Sequence, residues 1–222
     1  MKRFECRAIL FDLDGVLVDS TRHIEQQWRS WALSKGLSAE PFLRVCHGRR
    51  AFETIQLAAP ELDAAAEIAA FKSDQVSETA DLAPVEGAAH LLQLLPPGSW
   101  AVATSGSRAT ATERLRRAGL PEPAVLICAE DVVRGKPDPD VYLTAAGRLK
   151  VIPSECIVVE DAPAGIEAAR AAGMRVLALT TTHPAGMLNA DAFAPSLASV
   201  HLGRIDPGFR GPPWLELLVV DR

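Results

Sequence analysis

Residues 8–11, Ala-Ile-Leu-Phe, carry no polar side chain and run straight into Asp12-Leu13-Asp14-Gly15. A short apolar run closed by a polar turn is the pattern of a strand buried on both faces, and residues 6–12 read as one such strand. Side chains alternate along a strand, so Asp12 and Asp14 project the same way if the strand direction persists. Two carboxylates leaving a buried strand repel each other and are costly to desolvate unless donors or a cation lie between them. A hard divalent cation with oxygen ligands, Mg2+, answers that constraint. Gly15 permits an immediate sharp turn. The rest of the chain has to accommodate this strand end.

Two kinds of pattern follow it. Over residues 20–80 only helical spacing occurs. Ile24, Trp28, Trp31 and Ala32 share one helix face, Gly36 follows as a stop, Phe52, Ile55 and Leu57 mark a second helix, and an alanine-rich stretch runs over 63–71. From residue 84 onward strands and helices alternate. Strands are expected at 100–104, 125–128, 156–159 and 175–179, with helices opening near Pro84-Val85-Glu86-Gly87 and covering 108–118, 139–149 and 164–172. Alternation of this kind predicts an α/β fold, a Rossmann-like doubly wound parallel sheet. The expected organisation is a core of residues 1–19 and 81–222 with a small α-helical cap, 20–80, inserted after the first strand. The chain would enter and leave the cap at two flexible points, near 18–20 and near 80–84. Residues 203–213 read as loop, and the apolar run Trp214-Leu215-Glu216-Leu217-Leu218-Val219-Val220 reads either as an edge strand or as a tail docked elsewhere.

The composition narrows the function classes. With 48% hydrophobic and 23% charged residues the chain is an ordinary globular one, and 222 residues suffice for one good core. A net charge of -5 argues against nucleic acid or an anionic membrane as partner. No apolar run approaches the roughly 20 residues of a membrane span, and Lys2 and Arg3 are not followed by a signal-peptide core. The four cysteines, at 6, 46, 128 and 156, are scattered among apolar residues and read as buried free thiols of a cytoplasmic protein, a monomer or weak dimer.

Three further polar clusters stand at or near expected strand ends, where sites of doubly wound sheets lie. Thr104-Ser105-Gly106-Ser107 offers hydroxyls and backbone amides at a strand-to-helix turn, a cradle for phosphate oxygens or simply a helix cap. Lys136 lies between Gly135 and Pro137, held where it can neutralise charge between a carboxylate and a phosphate. Glu160 and Asp161 are adjacent acids at the end of an apolar run, again in need of a cation.

Asp-x-Asp-Gly-x-Leu-x-Asp, the strand with Thr-Ser, Gly-Lys-Pro-Asp-Pro, and Val-Val-Glu-Asp-Ala-Pro-Ala-Gly-Ile-Glu-Ala-Ala occur in that order over residues 6–180, and together they resemble the haloacid dehalogenase superfamily. The helical insertion resembles the cap of its β-phosphoglucomutase-like subgroup, and within it the chain is most similar to small sugar and polyol phosphatases. The resemblance implies Asp12 as nucleophile forming an aspartyl-phosphate and Asp14 as general acid and base. Dehalogenases of the superfamily lack the second aspartate, since halide leaves without a proton. It further implies Mg2+ held by Asp12, the carbonyl of Asp14, Asp161 and a phosphate oxygen, with Glu160 close by, and Thr104 and Lys136 on the other phosphate oxygens. Ser105 would also contact substrate, as would His47, Gly48 and Arg49 of the cap. The expected partner is a small phosphorylated metabolite. The alternative is a β-phosphoglucomutase-like phosphotransferase, whose cap-helix histidine is absent here: that position holds Ile24, with His23 one residue earlier.

Overall fold

The computed structural model describes residues 1–75, 82–206 and 212–220. The expected strand over 6–12 is two strands. β1 (Lys2–Cys6) and β2 (Ala8–Phe11) are separated by Arg7, whose backbone N–H donates to the Glu155 carbonyl at 2.8 Å and whose guanidinium lies over the Trp214 ring. Only β2 is buried along its whole length. The strand ends at Phe11, so the aspartates do not continue it.

Next come β3 (Val18–Asp19), helices α1 (Thr21–Ser34), α2 (Glu40–Leu43), α3 (Ala51–Ala58) and α4 (Ala64–Gln75), and β4 (Ala83–Pro84). Trp28, Trp31 and Ala32 are buried as their spacing predicts, packing with Phe42, Ile55 and Phe71 into a small apolar cluster of their own. Trp28 stacks on Phe42 with ring centroids 5.5 Å apart. Phe52 and Leu57 are exposed instead, because α3 turns only the Thr54–Ile55 side inward. At the expected entry and exit points β3 and β4 pair antiparallel, Val18 opposite Pro84 and Asp19 opposite Ala83. Residues 80 and 81 of the exit, and with them the 80/81 boundary, lie outside the described residues.

The remainder alternates as expected: α5 (Ala88–Leu94), β5 (Trp100–Ala103), α6 (Arg108–Arg117), β6 (Leu126–Ile127), α7 (Asp140–Leu149), β7 (Cys156–Glu160), α8 (Pro163–Ala171) and β8 (Arg175–Leu179). A strand not anticipated, β9 (Ala192–Ala194), adds to the edge. The six strands form a parallel sheet in the order β6-β5-β2-β7-β8-β9. The order runs outward from β2 in both directions, so the crevice beyond the carboxyl ends of β2, β5 and β7 is the switch point of the sheet.

The period of two explains why both faces are dry. Ile9, Phe11, Trp100, Val102, Ile157 and Val159 point into one core with α5 and α6. Ala8, Leu10, Ala101, Ala103, Cys156 and Val158 point into another with α7 and α8. All four cysteines are free and buried, and burial pushes their thiols up to about 12. Among the described residues no helix is long and apolar enough to cross a membrane.

The C-terminal run is neither edge nor loose tail. β10 (Val200–Asp206) and β11 (Trp214–Val219) form with β1 a three-stranded antiparallel sheet in which β11 is the middle strand. Strand thus extends over 200–206, part of which was expected as loop; residues 207–211 lie outside the described residues. The reason is in the alternation of β11: Leu215, Leu217 and Val219 are buried against the main core, and Trp214, Glu216 and Leu218 face outward. Leu217 is fully buried at the centre of this second layer. Leu217→Ala is expected to destabilise the protein by about 2–5 kcal/mol, read as a lower urea midpoint with an unchanged slope. A change within error would mean that the C-terminal strand contributes little to the core.

Candidate active site

Every expected motif residue of the core arrives at the carboxyl edge of the parallel sheet. Asp12 follows β2, Thr104 follows β5, Glu160 ends β7 and Asp161 follows it, while Lys136 reaches in from the loop before α7. The ammonium of Lys136 is fully buried and donates to Asp12 Oδ1 at 2.6 Å and Glu160 Oε1 at 2.7 Å. It also lies 4.9 Å from the centroid of the Tyr142 ring, whose hydroxyl donates to the same Glu160 oxygen at 2.9 Å. Burial alone would push the lysine toward its neutral form, yet Asp12 and Glu160 together hold it well above its ordinary range. Tyr142 is raised as well, by burial and by Glu160.

The carboxylates are not equivalent. Glu160 has no free oxygen: Oε1 accepts from Lys136 and Tyr142, and Oε2 accepts from the backbone N–H groups of Asp161 at 2.8 Å and Ala162 at 3.0 Å. Burial raises Asp12 to about 7, against the opposing pull of Lys136. Asp161 is raised well above the usual carboxylate range by burial and by Glu160, and its Oδ2 is buried with no hydrogen-bond partner. Oxygens of Asp12, Glu160 and Asp161 lie within 4.8 Å of one another. Three buried acids facing one ammonium, with an orphaned oxygen among them, fit a hard divalent cation. Gly15 keeps the space open. Its φ is +80°, and a Cβ there would lie 2.1 Å from Asp161 Oδ2.

Asp14 stands apart from that cluster. Its backbone N–H donates to Asp12 Oδ2 at 3.1 Å, and its Oδ1 accepts from Ser20 Oγ at 2.6 Å and from Arg114 Nη1 at 2.5 Å. The strand has already ended at Phe11, yet Asp12 and Asp14 both line the same pocket. Neither Ser20 nor Arg114 was among the expected residues. A signal existed for Arg114: it lies at i+3 from Ala111 and next to Leu115, on the apolar face of α6.

On the β5 side, Thr104 Oγ1 accepts from the Gly106 N–H at 3.0 Å, and Ser107 caps α6 by accepting from the Thr110 N–H at 3.2 Å. Ser105 Oγ crosses to the helical insertion and donates to the Gly48 carbonyl at 2.9 Å. Gly48 has φ +75°, and a Cβ there would sit 2.9 Å from the Ala162 Cβ, so this loop rests directly on the core. His47 lies 3.7 Å from Glu25, its ring 5.9 Å from that of His183, and burial followed by His183 lowers its pKa. Arg49 donates to the Val45 carbonyl at 3.4 Å, and its Nε is buried without a partner.

One pocket gathers these groups. Asp12, Asp14, Thr104, Ser105 and Arg114 form its floor, and His47, Gly48, Arg49, Ile24 and Trp28 belong to its wall. Lys136, Glu160 and Asp161 lie beneath, at most 1% exposed. A buried carboxylate bonded to a buried ammonium, a second carboxylate beside it and a candidate cation site suit transfer of an anionic group.

The chain resembles proteins of known activity. The chain is 42% identical over 202 residues to hexitol phosphatase A of Escherichia coli, a match covering 89% of each. It is 35% identical over 187 residues to glycerol-1-phosphate phosphohydrolase 2 of Saccharomyces cerevisiae, covering 79% of this chain and 75% of that one. A solved structure of a hydrolase from Pseudomonas syringae superposes with a TM-score of 0.74 at 26% identity, over 86% of this chain and 94% of the other. The haloacid dehalogenase-like hydrolase description matches residues 6–173. On that match, the fold and the relatives, the chain belongs to the haloacid dehalogenase-like hydrolase family.

Proposed function

We propose that this chain is a Mg2+-dependent phosphomonoesterase for small phosphorylated polyols or sugars, with residues 20–80 acting as a cap over the core formed by 1–19 and 81–222. The observation that carries the reading is the setting of Asp12: a buried carboxylate bonded to Lys136, next to an unpartnered oxygen of Asp161, with Asp14 in the same pocket. The names of the hexitol and glycerol phosphate relatives support the substrate class. Four buried free thiols support a reducing compartment, the cytoplasm.

Asp12, Asp161 and the main-chain carbonyl of Asp14 would hold Mg2+, with Glu160 behind them; when bound it supplies positive charge to the phosphoryl oxygens and to the nucleophile. In the first step an oxygen of Asp12 forms a bond to phosphorus, the bond to the leaving oxygen breaks, and Asp14 donates its proton to that oxygen. In the second, water attacks the aspartyl-phosphate, Asp14 takes the water's proton, and the Asp12 carboxylate is restored. Thr104 and Lys136 hold phosphoryl oxygens, and Glu160 with Tyr142 keeps the ammonium in place. Ser105 and Gly48 tie the cap loop to the phosphate end, and His47 and Arg49 face the leaving group. No histidine takes the position at which a mutase carries one; Ile24 lines the pocket there.

A panel of hexitol, hexose, pentose and glycerol phosphates, assayed for phosphate release with and without Mg2+, tests the reading. Turnover confined to Mg2+ and highest on a polyol or sugar phosphate supports it; full activity in chelator removes the metal from the mechanism. Asp12→Asn should fold normally and retain below about one ten-thousandth of the activity. A well-folded variant with a hundredth of wild-type turnover would rule out Asp12 as nucleophile.

The metal also links to stability. Because the folded protein raises Asp12 to about 7, it binds more protons than the unfolded chain between the ordinary carboxylate range and neutrality. Stability in chelator should therefore fall as pH rises through that window. Mg2+ should then raise the melting temperature more at pH 8 than at pH 5, where protons compete for the same oxygens. Equal Mg2+ shifts at both values would contradict a site built on Asp12.

Arg49→Ala should raise KM for a hexitol phosphate about tenfold, the size of one charge-assisted hydrogen bond. Acetyl phosphate, which lacks the polyol, should be turned over at nearly the wild-type kcat/KM. An unchanged ratio of the two would mean that this loop does not read the leaving group.

A further inference from the structure

We infer that Arg114 is a positioning residue for Asp14, one that holds Oδ1 so that proton transfer runs through Oδ2. The inference rests on the acid and base role proposed above for Asp14. Arg114 comes from the last turn of α6, 100 residues along the chain, and its side chain is only 7% exposed. Its Nη1 and Ser20 Oγ both donate to Asp14 Oδ1, at 2.5 and 2.6 Å, while no described residue donates to Oδ2. A carboxylate with two donors on one oxygen has its rotamer and its plane set, and a fixed donor geometry is what proton transfer in the reacting complex requires. Arg114 is also part of the pocket lining, so the pair forms part of the substrate chamber. Its Nε is buried without a partner among the described residues. Arg114 would itself touch no reacting atom; it acts through Asp14.

A positioning role and a structural role differ in what depends on the leaving group. A sugar alkoxide needs the proton from Asp14, and p-nitrophenolate, a far better leaving group, needs it less. Arg114→Met, similar in length and uncharged, should lower kcat/KM for sorbitol 6-phosphate about 30-fold and for p-nitrophenyl phosphate no more than about threefold. In an Asp14→Asn background the same substitution should cause no further loss, since the group it positions has gone. Arg114→Lys should recover most of the sorbitol 6-phosphate activity. Equal losses on both substrates, or losses that multiply in the Asp14→Asn background, would overturn the inference and leave Arg114 as a structural ion pair. Should Arg114→Met not fold by circular dichroism, Arg114→Gln, which retains an N–H to offer Oδ1, is held to the leaving-group comparison with an expected loss of about tenfold on the sugar phosphate alone. Full sorbitol 6-phosphate activity in Asp14→Asn by itself would instead refute the acid and base assignment, a failure distinct from that of Arg114.

Discussion

The site depends on one buried cation. Lys136 sits with no exposure between Asp12 and Glu160, and without it two carboxylates would face each other in a dry interior. Desolvating the ammonium and the acids is expensive, and removing one partner of such a buried group leaves an uncompensated charge that destabilises by about 3–5 kcal/mol. The arrangement is tolerable because each partner is satisfied elsewhere too. Glu160 takes four hydrogen bonds, two of them from its own strand-to-helix turn, and Asp12 takes one from the Asp14 backbone. What stays unsatisfied is Asp161 Oδ2. The balance of charge is thus incomplete at one defined place, and that place is next to Asp12.

The sheet supplies these groups for a topological reason. Three adjacent parallel strands, β5, β2 and β7, all end at the same edge, so each can release a polar residue into the same crevice. Behind that edge the strands are apolar on both faces, which keeps the backbone of the site from shifting. The antiparallel layer of β1, β11 and β10 packs against the core on one face of that sheet.

Several polar contacts between the helical insertion and the core lie close to the pocket. Ser105 donates to the Gly48 carbonyl, and Arg50 reaches the carbonyls of Val132, at 3.5 Å, and Val133, at 3.2 Å, in the loop that leads to Lys136. The Ser20 hydroxyl, at the start of α1, is bonded to Asp14. Polar links of this kind exchange readily with water, whereas the apolar cluster around Trp28 belongs to the insertion alone. The insertion therefore has its own core and meets the rest through a polar seam around the pocket.

Much of this was legible in the residues. The alternation of apolar runs with helical spacing determined the parallel sheet, because a strand buried on both faces has few other ways to hide its side chains. The positions of Asp12, Thr104, Glu160 and Asp161 at expected strand ends, and of Lys136 between Gly135 and Pro137, pointed to the candidate site. Local patterns could not decide which carboxylate oxygens were already taken. Glu160 and Asp161 are neighbours in the chain, yet one is saturated and the other has an orphaned oxygen. The pairing of Arg114 with Asp14 spans 100 residues and was hidden in a basic helix, although its place on the apolar face was a clue. The C-terminal run read as an edge strand or a docked tail because its partners β1 and β10 are largely exposed and part of β10 read as loop. Sequence determines what a residue can offer and roughly which element carries it. Only the tertiary structure decides which offers meet, since hydrogen bonds and ion pairs are fixed within a few ångströms by contacts between segments far apart in the chain.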